Sequence, residues 1–304
     1  MSLFQIKKQI DSINKTKQIT NAMRLVSTSK YNRMVQEAKN YDIYSLMVRK
    51  LVYYIISRNI PRFVNTDLQS NIGLDPIDYH HMLVQRPVVK TAYLVISSDK
   101  GLAGDYNSSL IKKFDQYLKT HHEDFSEIVV LGIGDPIIKY CRANGITMTF
   151  KTHNISDYPT FTEVQKVIKE AIEGYNNKTY DALKVAYNHS ENIMQTQLRL
   201  ETLLPLGNIE FPEDSADEDI DYIIEPDPEV VLDELLVKFV ESQIYGAIID
   251  AKTAEQASRM QAMNQATQNA EDLIFNLKKQ YNQQRQLRIT NEILDIINGS
   301  AAQQ

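Results

Sequence analysis

The stretch from Glu229 to Asn298 most constrains what this chain can fold into. It contains no proline and a single glycine, Gly246. Apolar or small side chains recur along it at spacings of three and four, which is the period of an α-helix. They are Phe239, Ile244, Ile248, Ala251, Ala254, Ala257, Met260, Met263, Thr267, Ala270, Ile274, Leu277, Tyr281, Ile289, Ile293 and Ile296. One helix of this length would be roughly 100 Å long, so most of it requires a partner helix or a surrounding protein.

The opposite face of this predicted helix is rich in side-chain amides and poor in charge. Exposed helices usually carry dense Glu and Lys pairs, which add solubility and local stability. An amide-rich face fits either an ordinary solvated surface or a surface that lies inside another protein without strong ion pairs, and the sequence leaves both open. Its members are Gln256, Gln261, Asn264, Gln265, Gln268, Asn269, Asn276, Gln280, Asn282, Gln283, Gln284 and Gln286.

A second long helix is predicted at the other end of the chain. From Ser2 to Arg58 there is neither glycine nor proline, and Ser2 and Gln5 have the spacing of a capping box. Its first half is polar around most of its circumference, although helices depend on packing for most of their stability. Two such helices are predicted to pair as an antiparallel coiled coil, with the longer C-terminal helix projecting beyond the pair. The predicted seam residues are Ile6, Ile10, Ile13, Thr20, Met23, Val26 and Met34.

Between the two helices the sequence predicts a Rossmann-like α/β domain, so the fold class is mixed α and β with a long coiled coil. Strand-like runs at 92–96, 128–133 and 183–187 alternate with helix-like runs at 108–120, 136–143 and 162–175. This alternation predicts a mainly parallel sheet. Residues 193–203 follow without room for a helix and predict an antiparallel edge strand. The predicted division is an N-terminal helix at 1–60, a connection at 61–90, an α/β domain at 91–212, an acidic linker at 213–228 and a C-terminal helix at 229–304.

Composition excludes several classes of protein. The apolar content of 43% and the charged content of 24% are typical of a folded soluble chain. No run of 18 apolar residues is present that could span a membrane, and the start lacks the features of a signal peptide, which predicts a cytoplasmic chain. The single cysteine, Cys141, excludes an internal disulfide and a cysteine-rich zinc site.

Charge is distributed unevenly behind the net value of −6. Residues 1–39 hold eight basic side chains and two acidic ones, whereas residues 210–234 hold twelve acidic ones and no basic one. A basic helix fits nucleic acid, an anionic membrane or an acidic protein surface, although a solvated face is the more frequent case.

No complete catalytic, cofactor or metal motif is present. Residues 98–105 lie between a predicted strand and helix, where phosphates often bind, but they match neither a Walker loop nor G-x-G-x-x-G. Residues 132–136 are equally incomplete, so both segments predict tight turns. The adjacent histidines at 80–81 and 121–122 point to different sides of their elements, and Cys141 is typical of a small buried side chain. The sequence therefore predicts no active site.

Three stretches of the chain resemble the gamma subunit family of F-type ATP synthases, whose members are the central rotor stalk of the F1 motor. The first is the opening helix, with Ile-Thr-Asn-Ala-Met at 19–23 and Val26 to Lys30. The second is Ser-Ser-Asp-Lys-Gly-Leu-Ala-Gly at 97–104, followed by Asn107 and Ser108. The third and most specific runs from Ala257 to Ile293.

Three departures from the family pattern are present. Asp105 stands where the family usually has a second glycine, and the acidic insert around 214–227 is longer than in compact members. The paired cysteines of the redox-regulated chloroplast form are missing.

The resemblance implies a fold and partners that match the reading of the residues. The two terminal helices would insert as a coiled coil into a ring of three alpha and three beta subunits, which hold the nucleotide sites. The α/β domain would contact the epsilon subunit and the c-subunit ring, so that proton flow turns the chain. The chain itself would be non-catalytic, without cofactor or metal, and would bind no nucleic acid. It would touch the membrane only through the c ring, at the cytoplasmic face of a bacterial cell membrane.

The resemblance also assigns subunit contacts to individual residues. Met23 lies in the helix segment that faces a beta-subunit loop, and Arg259 matches the position that meets beta-subunit catch loops. Three further positions near the end of the chain match the bearing at the top of the shaft. The full predicted contact set is Met23, Lys30, Arg259, Met263, Arg285, Gln286 and Thr290.

The basic side chains of the N-terminal helix would face acidic loops of the partner. Assembly and coupling that survived reversal of Lys15, Lys17 and Lys30 to Glu would contradict this. Two other functions stay open from the residues alone. A non-motor coiled-coil tether or scaffold explains the long helices, and a small α/β enzyme explains the sheet. Nucleotide titration of the isolated chain separates the enzyme from the rotor, because a rotor is expected to bind no nucleotide specifically.

Overall fold

Two long helices and one five-stranded sheet make up the computed structural model, which describes residues 2–59, 82, 87–192, 195–206 and 222–301. Helix α1 spans Leu3–Asn59 and helix α5 spans Pro228–Ala301, the latter with 74 residues. The predicted capping box is confirmed, because the Ser2 backbone N–H donates to Gln5 Oε1 over 2.9 Å and the Gln5 N–H donates to Ser2 Oγ over 3.3 Å. No helix in the described ranges is long and apolar enough to cross a bilayer.

The two long helices pack against each other in antiparallel fashion, as the sequence predicts. Position 17 of α1 lies beside position 271 of α5, position 20 beside 267, and position 41 beside 242. The single glycine inside α5 has a packing role, because a Cβ at Gly246 would lie 3.3 Å from a ring carbon of Tyr41. The coiled coil of the predicted fold class is therefore confirmed.

The seam of α1 follows a seven-residue period, and this corrects one predicted position. Val26, a predicted seam residue, is 53% exposed, whereas its neighbour Ser27 is 2% exposed. A strict heptad keeps one face toward a partner helix, and a polar residue at position 27 hides that period from a search for apolar side chains. The heptad comprises Ile6, Ile13, Thr20, Ser27, Met34, Tyr41, Val48 and Ile55, all buried or half-buried.

The same reasoning corrects a position on α5. The sequence predicts that Gln256 lies on the exposed amide face, but it is only 1% exposed. It lies seven residues before Met263 and fourteen before Ala270, which are both buried, so it shares their heptad position. The other eleven members of the amide face are exposed, as predicted.

The sheet has the order β3-β2-β1-β4-β5, and the first four strands are parallel. Strand β5 pairs antiparallel with β4 at the edge, which confirms the predicted edge strand. The strands are β1 Thr91–Ile96, β2 Ile128–Ile133, β3 Thr147–Thr152, β4 Ala182–Asn192 and β5 Gln195–Leu204. Strand β3 was not predicted, because it is an edge strand with exposed alternate residues and a short polar sequence.

Helices cover both faces of the sheet. Helices α2 (Tyr106–His121) and α3 (Asp135–Asn144) pack on one face, and α4 (Phe161–Asn176) packs on the other. The core on the α4 side also contains Val48 and Val52 of α1 and Leu236 and Ile248 of α5. The bases of the two long helices therefore share one core with the sheet.

The predicted boundaries between segments stay a prediction. Most of the predicted connection at 61–90 and the predicted acidic linker up to residue 221 lie outside the described residues. Helix α5 begins at Pro228, and the Asp227 carbonyl accepts the Val231 N–H over 3.1 Å at its start. Proline suits the first position of a helix because its missing N–H would have no partner there.

Candidate functional site

The seam of the helix pair beyond the sheet contains polar and small residues as well as buried apolar ones such as Ile6 and Met263. Thr20 Oγ1 and Thr267 Oγ1 lie 2.8 Å apart between the helices, and Lys17 Nζ lies 2.8 Å from Glu271 Oε1. Met263 is 5% exposed inside the seam, whereas Met23 is half-buried beside it. Met23 is thus partly accessible at the surface of the shaft, whereas Met263 is turned into the seam.

The end of α5 extends past α1. Lys17 pairs with Glu271, but α1 begins only fourteen residues before Lys17 while α5 continues for thirty residues after Glu271. The sixteen unmatched residues correspond to about 24 Å of helix. Every residue from 282 to 298 is exposed.

This projecting end carries an apolar surface without a cover among the described residues. A monomeric protein rarely exposes a continuous apolar surface, so such a surface indicates an interface. The predicted contacts Gln286 and Thr290 lie on the projecting end, Arg285 lies directly before it, and all three are exposed. Its large apolar side chains are Leu287, Ile289, Ile293, Leu294, Ile296 and Ile297, which are 43–71% exposed.

Arg259 has a different environment from the one that the resemblance implies. It is 7% exposed, and its guanidinium donates to Glu255 Oε1 over 2.7 Å and to the backbone carbonyls of Lys100 and Gly101 over 3.1 and 3.2 Å. Lys252 Nζ lies 3.2 Å from the other oxygen of Glu255. In this chain Arg259 therefore holds the glycine loop, which we define as residues 97–105, against α5, and its predicted subunit contact stays a prediction.

The glycine loop forms the tight turn that the sequence predicts. Leu102 and Gly104 have φ values of 62° and 61°, a region in which glycine is favoured. A Cβ on Gly104 would lie 3.6 Å from the Ala262 Cβ, so the loop touches α5 closely. The next residue that anchors this region is Tyr106, whose hydroxyl donates to the Ala251 carbonyl over 2.9 Å. The loop contacts α5 through Arg259 and Ala262, and its side chains bond to neighbouring segments of the sheet edge. These contacts favour a packing role over phosphate binding.

Lys30, another predicted contact, lies beside the α/β domain. Its Nζ is 2.7 Å from Asp157 Oδ2, and Lys100 Nζ lies at the same distance from that oxygen. Burial favours protonation of the Asp157 carboxyl, but hydrogen bonds from Lys100 and Lys30 outweigh it and lower its pKa to about 2. No sequence signal identified Asp157, because its two partners are distant in the chain.

One group of possible metal-ligand residues was also missed. The ligand atoms of Asp99, Asp135 and His153 lie within 4.8 Å of one another. Both oxygens of Asp99 already accept backbone N–H groups, from Asp135 over 2.8 Å and from Asn154 over 2.6 Å. The carboxyl ends of adjacent parallel strands bring these residues together. Their hydrogen bonds tie the loops of the sheet edge to one another.

Cys141 and the histidines at 121 and 122, the remaining residues that could carry chemistry, are buried or contact neighbouring side chains of the fold. Burial raises the pKa of the Cys141 thiol to about 12, so it carries no thiolate at neutral pH. The ring of His121 stacks on Tyr117 at 4.0 Å, and His122 Nε2 lies 2.7 Å from the Tyr93 hydroxyl. The histidines at 80 and 81 lie outside the described residues.

Sequence comparison assigns the chain over its whole length. The family described as ATP synthase matches residues 2–302. The ATP synthase gamma chain of Enterococcus faecalis is 41% identical over 301 residues, which cover 99% of this chain and 98% of that protein. The gamma chain of Streptococcus gordonii is 42% identical over 302 residues, which cover 99% of each chain.

Comparison with solved structures shows the same fold. A chain in the cryo-EM structure of the Euglena gracilis mitochondrial ATP synthase rotor matches with a TM-score of 0.60 and 18% identity, over 94% of this chain and 98% of that one. A chain in the central stalk and c-ring structure from Tetrahymena thermophila matches with a TM-score of 0.56 and 20% identity, over 82% and 99%. The resemblance stated from the motifs is thereby confirmed, and the chain belongs to the ATP synthase gamma chain family.

Proposed function

We propose that this chain is the central rotor shaft of an F1 motor and couples rotation of a c-subunit ring to conformational cycling of the catalytic sites in the beta subunits. The observation that carries the proposal is the exposed end of α5. It is about 24 Å of single helix, and its apolar side chains have no cover among the described residues. A surrounding ring of subunits would cover it on all sides.

The amide face of α5 suits a surface that moves against its partner. Eleven of its twelve predicted members are exposed, and residues 260–270 carry no charged side chain. Amides exchange one hydrogen-bond partner for another without the desolvation cost of a buried charge. Such a shaft would contact each of three beta subunits differently at any moment, and differences in contact free energy are what shift a conformational equilibrium.

The chain would act without catalysing a reaction itself. Its partners would be three alpha and three beta subunits at the shaft, and the epsilon subunit and c ring at the α/β domain. It would lie at the cytoplasmic face of a bacterial cell membrane and touch that membrane only through the c ring. Each proton crossing would release about 2.3 kcal/mol per 100 mV, so several protons would turn the shaft for each ATP.

The predicted contact residues divide into two groups in this structure. Arg285, Gln286 and Thr290 are exposed and Met23 is half-exposed, so these four would be able to contact partner subunits. Met263, Arg259 and Lys30 pack mainly within the chain and would act through the shape of the shaft.

The two other functions are less well supported. A non-motor tether does not explain a match of about 41% identity over 99% of the chain to ATP synthase gamma chains. A small α/β enzyme would need a site at the carboxyl edge of the sheet, but the glycine loop there packs against Arg259 and α5. Nucleotide titration of the chain alone is expected to show no specific binding.

Co-expression with the alpha and beta subunits of one bacterium tests the proposal. We expect a stable complex that contains one copy of this chain and hydrolyses ATP. Truncation after Gln268 removes the projecting end together with part of the seam, and should weaken the complex. Truncation after Arg285 removes the projecting end alone and separates the two effects. If no complex forms with a well-matched partner set, the proposed function is wrong and the tether gains support.

A further inference from the structure

A second loop at the carboxyl edge of the sheet lies next to the glycine loop and also contacts the shaft. We call residues 153–160, between β3 and α4, the strap loop. Ile155 within it is 5% exposed and belongs to the main core. Its Ser156 N–H donates to Glu163 Oε1 over 2.6 Å at the start of α4. The strap loop is therefore fixed to the α/β domain through the main core and through the first turn of α4.

Asp157 joins this loop to α1 and to the glycine loop at once. One carboxylate oxygen, Oδ2, lies 2.7 Å from Nζ of Lys30 and 2.7 Å from Nζ of Lys100. The side chain of Asp157 is 11% exposed, and its other oxygen is buried without a hydrogen-bond partner among the described residues. The two ammonium groups thus supply the contacts that offset the burial of this carboxylate.

Neighbouring residues of the strap loop contact both shaft helices. The guanidinium carbon of Arg33, on α1, lies 4.2 Å from the ring centre of Tyr158, within the range of a cation–π contact. The Tyr245 hydroxyl, on α5, donates to the Pro159 carbonyl over 2.9 Å. The strap loop therefore holds α1 through two side chains and α5 through one.

The two loops together contact both shaft helices at the base of the helix pair. The glycine loop holds α5 through Arg259 and α2 holds it through Tyr106. The strap loop holds mainly α1. The loops are also joined to each other, because Asp99 accepts the Asn154 N–H over 2.6 Å.

We propose that the glycine loop and the strap loop form a collar that passes torque from the α/β domain into both shaft helices, with Asp157 as the residue that positions the two loops. This inference rests on the proposed function. Beyond the collar the seam between the two helices includes the polar pair Thr20 and Thr267 as well as buried apolar side chains such as Ile6 and Met263. A seam between only two helices resists sliding less than a large apolar core does, so torque needs to enter both helices at the base.

The stiffness of the rotor in an assembled complex tests the collar. F1 is fixed to a surface through its beta subunits, and its catalytic sites are locked with a non-hydrolysable ATP analogue. A bead is attached to the exposed position 166 through Lys166→Cys, since Cys141 is buried and unreactive. The variance of the bead angle then reports the torsional compliance between the α/β domain and the locked top of the shaft.

Asp157→Asn and Lys30→Gln should both increase this variance. Each removes one of the two ties from the strap loop to α1, while the core that the helix bases share with the sheet stays intact. The increase should therefore be measurable but well below about twofold. Asp157→Glu keeps the charge and should restore most of the stiffness. Glu173→Gln, which removes an exposed ion pair with Lys169 within α4, is the matched control and should leave the variance unchanged.

The outcomes separate the collar from the proposed function. If the wild-type bead does not rotate when ATP is supplied, the proposed function is wrong, and the torque role is wrong with it. If it rotates and Asp157→Asn has the variance of the wild type, the collar alone is refuted. Should Asp157→Asn fail to assemble, Lys30→Gln decides, because it lies on a half-exposed side of α1 and leaves the Asp157–Lys100 pair in place.

Discussion

Replacement of Glu255 by glutamine should destabilise the chain strongly, although the substitution changes one atom. The carboxylate side chain is 2% exposed and lies between two cations, Lys252 and Arg259, which are 6% and 8% exposed. Removing one partner from a buried ion pair costs about 3–5 kcal/mol, because the remaining charge is left uncompensated. Arg259 keeps two backbone carbonyl acceptors, so we place the loss near the lower end, at about 3 kcal/mol.

Thermal unfolding of the purified full-length chain, followed by circular dichroism, measures this effect. At about 2 °C per kcal/mol for a chain of this size, the midpoint should fall by about 6 °C. Glu271→Gln is the control, because it also removes one partner of an ion pair, here with Lys17. That pair is exposed to solvent, with 38% of the Lys17 side chain and 53% of the Glu271 side chain accessible. Exposed pairs contribute about 0–1 kcal/mol, so this midpoint should fall by no more than about 2 °C.

A double variant sharpens the test. Glu255→Gln combined with Arg259→Gln removes one of the two uncompensated cations, so the two losses should sum to more than the loss in the double variant. If Glu255→Gln and Glu271→Gln lower the midpoint equally, the buried charges do not contribute as argued and the reasoning is refuted.

Three further outcomes follow from the geometry. Gly134→Ala should lower the free energy of unfolding, measured by urea titration, by several kcal/mol, since φ is 95° there and a Cβ would lie 2.6 Å from the Ser97 Oγ. Gly145→Ala is the control: φ is 68° there but no atom lies within 4 Å of the added Cβ, so the loss should be only about 1 kcal/mol. Cys141 should resist a thiol reagent in the native chain at pH 8 and react in urea; rapid native labelling would contradict its burial. Folding lowers the pKa of the Asp157 carboxyl from its usual 3.8 to about 2. The difference in unfolding free energy between wild type and Asp157→Asn should therefore be constant above about pH 4 and disappear toward pH 2. A difference that is unchanged at pH 2 would show that the charge does not contribute.

Much of the fold could be predicted because the relevant signals are local or periodic. The lack of glycine and proline from Ser2 to Arg58 and the single Gly246 in the C-terminal stretch indicated two long helices, which the structure contains. Alternation of apolar strands with helical segments indicated a parallel sheet, and a strand directly following another indicated the antiparallel edge.

The errors arose where polar residues occupy buried positions. Ser27 and Gln256 lie in the heptad seam, but a search for apolar side chains passes over both. Strand β3 has few apolar residues because it lies at the sheet edge. The buried pair of Glu255 and Arg259 has the spacing of an ordinary exposed helix pair, and only the packing of the glycine loop over it removes it from water.

The contacts made by the strap loop could not be predicted from the sequence at all. Asp157 meets Lys30 and Lys100, which are 127 and 57 residues away along the chain. No pattern within a single segment encodes such a meeting, because it depends on how the sheet is set against the helix pair. The long-range geometry of the fold therefore had to be known before the collar could be inferred.

Direct observation of rotation tests the central claim. A bead attached at position 166 of the α/β domain would be followed in a surface-fixed complex of this chain with alpha and beta subunits while ATP is hydrolysed. We expect rotation in one direction with three equally spaced pauses in each turn, because the shaft would meet three beta subunits in sequence. Hydrolysis of ATP by an intact complex in which the bead stays at a fixed angle would contradict the claim that this chain is a rotor.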